Sequence, residues 1–537
     1  MMSLQNLPYA KFGLSESEAI AHAVSKLTFG ATEDLIQKVQ AEGLEQWLES
    51  QLSEPTSQHF ENEVAKRFPI TKLSVKEIAE TYPSPAISLI LMGIKFRKDK
   101  QFKKELEEKL EVNDMLAAIN ISVAQVDRRA LYELEGGAFL KKYFDKLEFG
   151  NFMELMYQLR AQKLYRAVYS PYQIQETLAD FWFNHLNVST TRVNDTAPYV
   201  LSYDRDVIRA NVLGHFPKML KASAHHPAML IYLDNNHSNA AENAQTLDKR
   251  KPPSKKLLES EFRQFLQMPG INENYARELL ELHTLGVDGG YTQNDVEELS
   301  RILSGWKVNP LLIKFHWLLT FFIKQGIKKN KKSFLKEAFF FDSTHHDAGT
   351  KTFLGRRFMQ RGGYQQGVEA IETLAAHPAT ANFISTKLVK RFVSDDAPKS
   401  LVDIVAKAYT DSAGHIPSMM LAMLQTEEFW NPKHRLSKVK TPFEYVASAF
   451  RSSEAQMDSE QQALRWIVRM GEPIYGYQVP TGFPDNQTYW TSGTGLINRL
   501  KFANALTENK IAGIRVPDEF RTNSWKQELS SPKFQKQ

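Results

Sequence analysis

Asn272–Trp306 reads NENYARELLELHTLGVDGGYTQNDVEELSRILSGW, the densest supply of carboxylate and imidazole side chains in the chain. The apolar spacing predicts two helices joined by a short loop that contains two glycines. We expect Thr292 to cap the second helix, with Asp295 bonding back to the cap residue. The loop lacks the alternating Asp or Asn ligands and the closing Glu of a calcium-binding loop. The stretch therefore predicts a helical hairpin at the centre of the fold.

Helical phasing divides the polar side chains of the first predicted helix. Glu278 and Glu281 are three residues apart and share one face, whereas His283 falls on the more apolar side. Glu281 and His283 therefore cannot bind one metal ion from this helix alone. The partners that the rest of the chain offers are His346 and Asp347 on a later turn and His185 on an earlier helix.

Two interpretations of these side chains stay open. In the first, carboxylates and imidazoles from separate elements bind a divalent metal ion and activate water, with His346, Asp347 and Glu278 as catalytic candidates. In the second, Glu278 and Glu281 form an ion-pair network with Arg277 that joins helices, and His283 bonds to a backbone carbonyl. The spacing matches neither Glu-x-x-His nor His-Glu-x-x-His, so clustering alone favours the metal ion. No other cofactor site is predicted, because no Gly-rich phosphate loop or dinucleotide fingerprint is present.

The fold class predicted from the remaining periodicity is mainly α: a multi-helix, multi-lobed globular protein with one small β-hairpin. Helix starts are marked by a capping box at Ser15, a cap at Thr32, and Ser or Thr followed by Pro at Ser170 and Thr441. The hairpin is predicted from two short apolar strands at 338–342 and 351–354, which flank the turn that carries His346 and Asp347.

The predicted regions of the chain follow these patterns. They are an N-terminal helical region (1–150), a central helical core with the hairpin (151–310), a basic and apolar insertion (311–337), a C-terminal helical region (338–516) and a loosely ordered tail (517–537). The longest apolar run, Pro310–Ile323, is too short to span a bilayer, so no transmembrane segment is predicted.

Composition excludes several classes of site. The 537 residues include no cysteine, which excludes disulfides, thiolate metal ligands and a cysteine nucleophile. A hydrophobic fraction of 42% and a charged fraction of 24% are typical of globular proteins. The net charge of +5 is carried by scattered basic residues without a recognised module, so no nucleic-acid partner is predicted. No signal peptide is visible, which indicates the cytoplasm, or the periplasm or export if a signal was removed.

Several separated segments resemble, in order, one bacterial family, the "domain of unknown function 1800" family. The segments that carry the resemblance are Leu27–Thr32, Asp180–His185, His226–Leu230 with Asp234–Asn235, Asn272–Leu279 with Glu281–Gly286, Tyr291–Thr292 through Gly305–Trp306, His346–Asp347 to Lys351–Gly355, and His377–Thr380. They span nearly the whole chain, and the Asn272–Gly286 part is the most distinctive.

The resemblance implies a large, mostly helical bacterial protein, without implying an activity. It also implies a protein partner that resembles alkaline phosphatases and sulfatases, because genes of that class often neighbour those of the family. The chain departs from the pattern in the absence of a signal peptide and in the insertion Leu312–Glu337. Two function hypotheses follow: a helical scaffold or binding protein of the envelope or cytoplasm that acts with a partner, and a metal-assisted hydrolase.

Overall fold

The computed structural model of the chain describes residues 4, 6–53, 57–82, 100, 101, 104, 150, 152–191, 196–248, 270–308 and 338–537. The predicted insertion at 311–337 lies outside the described residues, as does most of the region 83–149.

The mainly α fold is confirmed by twenty-two α-helices within the described residues. They are α1 Glu16–Leu27, α2 Glu33–Glu42, α3 Leu44–Ser53, α4 Gln58–Arg67, α5 Val75–Thr81, α6 Phe152–Tyr169, α7 Gln173–His185, α8 Val200–Ser202, α9 Phe216–His225, α10 Pro227–Tyr232, α11 Asn274–Glu278, α12 Gln293–Leu303, α13 Tyr364–Ala375, α14 Pro378–Phe392, α15 Lys399–Asp411, α16 Ile416–Leu424, α17 Glu427–Trp430, α18 Pro442–Ser452, α19 Gln461–Arg469, α20 Gln487–Trp490, α21 Gly493–Thr507 and α22 Asn523–Ser530. None of these helices is long and apolar enough to cross a bilayer.

The strands of the described residues form three two-stranded antiparallel sheets. The pairs are β1 Trp306–Val308 with β2 Phe339–Phe341, β3 Lys351–Phe353 with β4 Arg356–Phe358, and β5 Gln456–Met457 with β6 Ile514–Arg515. The predicted pairing of the two apolar segments around His346 is wrong, although both segments are strands. The first joins β1, because the Asp342 amide donates to the Gly305 carbonyl over 2.7 Å. The second turns back at once through Leu354 and Gly355, which both have positive φ.

Local capping chemistry explains where several helices begin. The predicted boxes at Ser15 and Thr441 are present, as are the caps at Thr32 and Thr292. The predicted start beside Ser170 is displaced. The Ser170 hydroxyl accepts a hydrogen bond from the Tyr172 amide instead, and α7 begins two residues after Pro171.

The helix α7 lies at the centre of the core. Nearly all of its side chains are buried, and it packs against α1, α3, α6 and the π-helix Tyr203–Ile208. A second π-helix, Leu279–Thr284, continues α11, so the first helix of the predicted hairpin changes its winding before Gly286. π-Helical turns are rare and are frequently found near functional sites.

The C-terminal segment 517–537 has regular structure, whereas a loosely ordered tail was expected after residue 516. It contains α22, whose Leu529 is buried, and its last residues pair with Lys438 and Lys440. The Lys26 ammonium donates to the backbone oxygen of Gln537 over 3.1 Å. These contacts order the segment although its sequence lacks a long apolar run.

Candidate ligand-binding pocket

The carboxylates of the predicted hairpin form a surface ladder. Arg277 lies 3.0 Å from Glu273 and 3.7 Å from Glu281, and it donates to the Gln293 side chain over 2.9 Å. These contacts tie the segment to α12. They include the expected pair of Arg277 with Glu281, whereas Glu278 forms no ion pair within the described residues. Glu278 is half-buried, and burial, together with the nearby Glu281 charge, raises its pKa.

His346 and Asp347 form part of a buried joint. The Nδ1–H of His346 donates to the Ser304 carbonyl over 2.8 Å, and the His346 side chain is buried. Asp347 accepts from the Arg301 guanidinium at 3.0 and 3.2 Å and from the Gly349 amide at 2.8 Å. Arg301 and the Gly349 amide hold the pKa of Asp347 below its usual range. These contacts fasten the turn to the end of α12.

Replacing Asp347 by Asn is therefore expected to destabilise the fold. The change removes the charge from the paired bonds with Arg301, and we expect a loss of about 1–3 kcal/mol in the free energy of unfolding. Urea unfolding measures this loss. Asp403→Asn is the control, because its pair with Lys399 is exposed on α15. An Asp347→Asn protein as stable as the wild type would contradict the structural role.

His185 and His283 are brought together in the core. The Nε2–H of His185 donates to the His283 carbonyl over 3.1 Å, and the ring centroids lie 6.3 Å apart. Burial lowers the pKa of both rings, that of His283 to about 3, and the Lys387 charge adds to the effect. Both imidazoles are therefore neutral. The second interpretation expected His283 to bond to a carbonyl; in the structure its own carbonyl is the acceptor.

The predicted metal ligands do not meet in one place within the described part of the chain. No group of three His, Asp or Glu side chains there could hold a metal ion. The predicted ligands instead lie in three separate places. Glu278 and Glu281 lie on the surface ladder, His185 and His283 form the buried pair, and His346 and Asp347 belong to the buried joint.

One of these residues, His185, lines a cavity of about 560 Å³ that the sequence did not predict. The cavity lies between the end of α7, one face of α14, the start of α18 and the segment 472–490. Its volume is that of a site for a small organic molecule. We call it the central pocket.

Ion pairs account for most of the charge around the central pocket. Lys163 lies 2.6 Å from Asp180, and Arg391 pairs closely with Glu444. The Lys438 ammonium lies 2.6 Å from the Asp395 carboxylate and 2.9 Å from that of Asp485. These contacts leave each of the four carboxylates just named with a basic partner.

Three polar groups that line the pocket, on Lys387, Glu472 and His185, form no ion pair within the described residues. No carboxylate among the described residues is within ion-pair distance of Lys387, whose pKa burial lowers to about 8. Glu472 accepts the Phe443 amide over 2.7 Å, and burial, with the Asp180 charge, raises its pKa to about 8. The buried Nδ1 of His185 has no hydrogen-bond partner in the described structure. At neutral pH the pocket therefore offers an ammonium group, a protonated carboxyl group and an imidazole acceptor.

Aromatic rings form much of the remaining wall. The Lys163 ammonium lies 4.9–5.6 Å from the ring centroids of Phe183, Phe443 and Tyr475. In the segment 472–490, the centroids of Tyr477 and Phe483 are 4.4 Å apart. Such rings give a ligand a flat apolar surface to pack on.

A family model described as "Protein of unknown function (DUF1800)" matches residues 22–536. The chain belongs to this family. No curated protein and no solved structure matches it.

In this DUF1800 chain, two of the segments that carried the family resemblance contribute to the pocket. Asp180–His185 supplies the wall from α7, including Asp180, Asn184 and His185. The hairpin, which is the most distinctive of those segments, supplies Leu282 only.

The sequence did not single out Lys387 or Glu472. Lys387 follows Phe383 and precedes Arg391 at helical spacing, so one face of α14 carries the pocket residues. That spacing was visible, but a lysine near a helix end is ordinarily solvated. Glu472 follows a helix without any motif, so no local signal marked it.

Proposed function

We propose that the protein binds a small organic anion in the central pocket. The observation that carries the proposal is Lys387, a half-buried ammonium group that lines the pocket and has no carboxylate within ion-pair distance among the described residues. The Lys387 ammonium lies 5.5 Å from the centroid of the Phe383 ring. A partly buried charge gains further stabilisation from an opposite charge, and the neighbouring acids pair with other bases. A carboxylate or phosphate group of a ligand would supply it.

The other groups that line the pocket restrict the chemical class of ligand that it would bind. The protonated Glu472 would donate a hydrogen bond to a ligand oxygen, and the His185 Nδ1 would accept one from a hydroxyl or amine group. The aromatic walls favour a ligand with a ring or carbon skeleton. This arrangement supports a binding protein, and Glu472 would also serve as a proton donor if the ligand reacts.

The test is a thermal-shift screen of small carboxylates and phosphate esters, followed by calorimetry. A ligand at about one hundred times its Kd would stabilise the protein by about 3 kcal/mol. Lys387→Met is expected to abolish the shift and, without ligand, to raise the free energy of unfolding by about 1–3 kcal/mol, because it removes an uncompensated charge. Lys399→Met, on exposed α15, should change neither quantity.

Two outcomes would contradict the proposal. One is a Lys387→Met protein that is less stable than the wild type, which would make Lys387 a structural residue. The other is an undiminished shift in that variant.

A partner that resembles alkaline phosphatases, which the family resemblance implies, is a separate proposal. Co-purification of the two proteins, expressed together, would test it, and the pocket argument does not depend on the result.

A further inference from the structure

A ridge of exposed aliphatic side chains lies beside the pocket segment. Val468 on α19 and Ile497 and Leu500 on α21 are 53%, 54% and 52% exposed, and Leu496 is 40% exposed. Exposed apolar residues of a soluble surface are normally scattered singly. Six of the eleven most exposed large apolar side chains in the described residues fall between residues 468 and 500. We call Val468, Leu496, Ile497 and Leu500 the apolar ridge.

The ridge arises because α21 is apolar on two opposite sides. Phe502, Ala503 and Leu506 face the core and are buried, while Leu496, Ile497 and Leu500 lie on the other side at helical spacing. The Asn498 side chain donates to the Arg469 carbonyl over 2.8 Å, which holds α21 against the end of α19. Val468 therefore extends the same surface.

The rim of the ridge is basic. Arg465, Arg469 and Lys501 are exposed next to the aliphatic side chains. Neither 461–471 nor 486–507 contains an Asp or Glu. The two segments thus combine exposed aliphatic side chains with exposed basic side chains.

We propose that the apolar ridge and its basic rim bind an anionic lipid surface. Aliphatic side chains of this kind enter the boundary between headgroups and acyl chains, and the long basic side chains reach the anionic headgroups. The exposed Tyr489 adds an aromatic ring of the type enriched at that boundary. A lipid surface requires no matching shape from the helices that bind it.

A second copy of the chain fits the surface less well. A symmetric dimer through the ridge would place Arg465, Arg469 and Lys501 of one copy against the same residues of the other. Like charges so placed repel each other. An acidic protein surface satisfies the charge, and the experiment distinguishes it from lipid.

The experiment is co-sedimentation of the full chain with vesicles of phosphatidylcholine, with and without about one third phosphatidylglycerol. We expect binding to the anionic vesicles, weakened at about 0.5 M salt. Arg465→Gln/Arg469→Gln/Lys501→Gln should lower the partition coefficient by about 100-fold, roughly fivefold per charge. Leu496→Ser/Ile497→Ser/Leu500→Ser should lower it by at least about 30-fold.

The matched control is Lys399→Gln/Ile404→Ser/Lys407→Gln, which changes exposed residues of the same kinds on α15 and should bind as the wild type does. Circular dichroism checks that each variant is folded, and the charge variant keeps the ridge intact. Wild-type protein that stays in the supernatant overturns the proposal. Equal binding of neutral and anionic vesicles does so too.

Discussion

Lowering the pH from 7 to 5 is expected to remove several kcal/mol from the free energy of unfolding. Burial lowers the pKa of His22 and His346 to about 4 and that of His226 and His283 to about 3. In the unfolded chain each imidazole titrates near its ordinary value of about 6.5. The unfolded state therefore takes up protons first as the pH falls.

The direction of this change in the free energy of unfolding follows from the linkage between proton binding and folding. A histidine whose folded pKa is depressed contributes its full stability above the unfolded pKa and loses it as the pH falls toward the folded pKa. At pH 5 each of the four residues has lost about 2 kcal/mol, or about 8 kcal/mol together. Glu472 acts in the opposite direction. Because its folded pKa is raised to about 8, it regains about 3 kcal/mol over the same range.

The net loss of about 5 kcal/mol is comparable to the whole stability of a marginal protein, so unfolding is expected near pH 5. Urea unfolding at pH steps between 7 and 5 measures the effect. His226→Gln should reduce the pH dependence of the free energy of unfolding by the equivalent of one proton. A flat profile would contradict the prediction, because it would show that the folded and unfolded states take up the same number of protons between pH 7 and pH 5.

Local chemistry in the sequence was enough to predict several helix starts and the position of His283 on an apolar face. The cap at Thr292 and the box at Ser15 depend on residues three apart, and helical phasing alone placed His283 on the apolar side. Such short-range patterns determine local geometry without any knowledge of the rest of the fold. The mainly α class follows from their sum.

The candidate site could not be predicted in this way, because its groups meet only through tertiary packing. Lys387 and Glu472 are ordinary in their own segments, and their pKa values change only when other helices bury them. The turn that carries His346 was predicted only as the link between the two strands of one hairpin. Ser304 and Arg301 of the α12 region cover it, which no local pattern indicates. The strand pairing of β2 depends in the same way on the distant Gly305.

Arg391→Met is expected to be the most destabilising single substitution beside the central pocket. Arg391 and Glu444 pair closely, and their side chains are only 9% and 4% exposed. Burial disfavours the guanidinium charge, but Glu444 outweighs this effect and raises the pKa of Arg391. Removal of the arginine would leave Glu444 as a buried charge with neutral donors only, the Thr441 amide at 2.8 Å and the Gln537 side chain at 3.2 Å.

Breaking a buried pair from one side costs about 3–5 kcal/mol, whereas an exposed pair contributes about 0–1 kcal/mol. Unfolding in guanidinium chloride compares the two kinds of pair: Arg391→Met breaks the buried one, and Lys399→Met breaks an exposed one. The double variant Arg391→Met/Glu444→Gln should regain much of the loss, because it leaves no charge unpaired. If the double variant is as unstable as Arg391→Met, the loss comes from packing rather than from charge. The pocket wall would then be maintained by the shape of the Arg391 side chain and not by its ion pair.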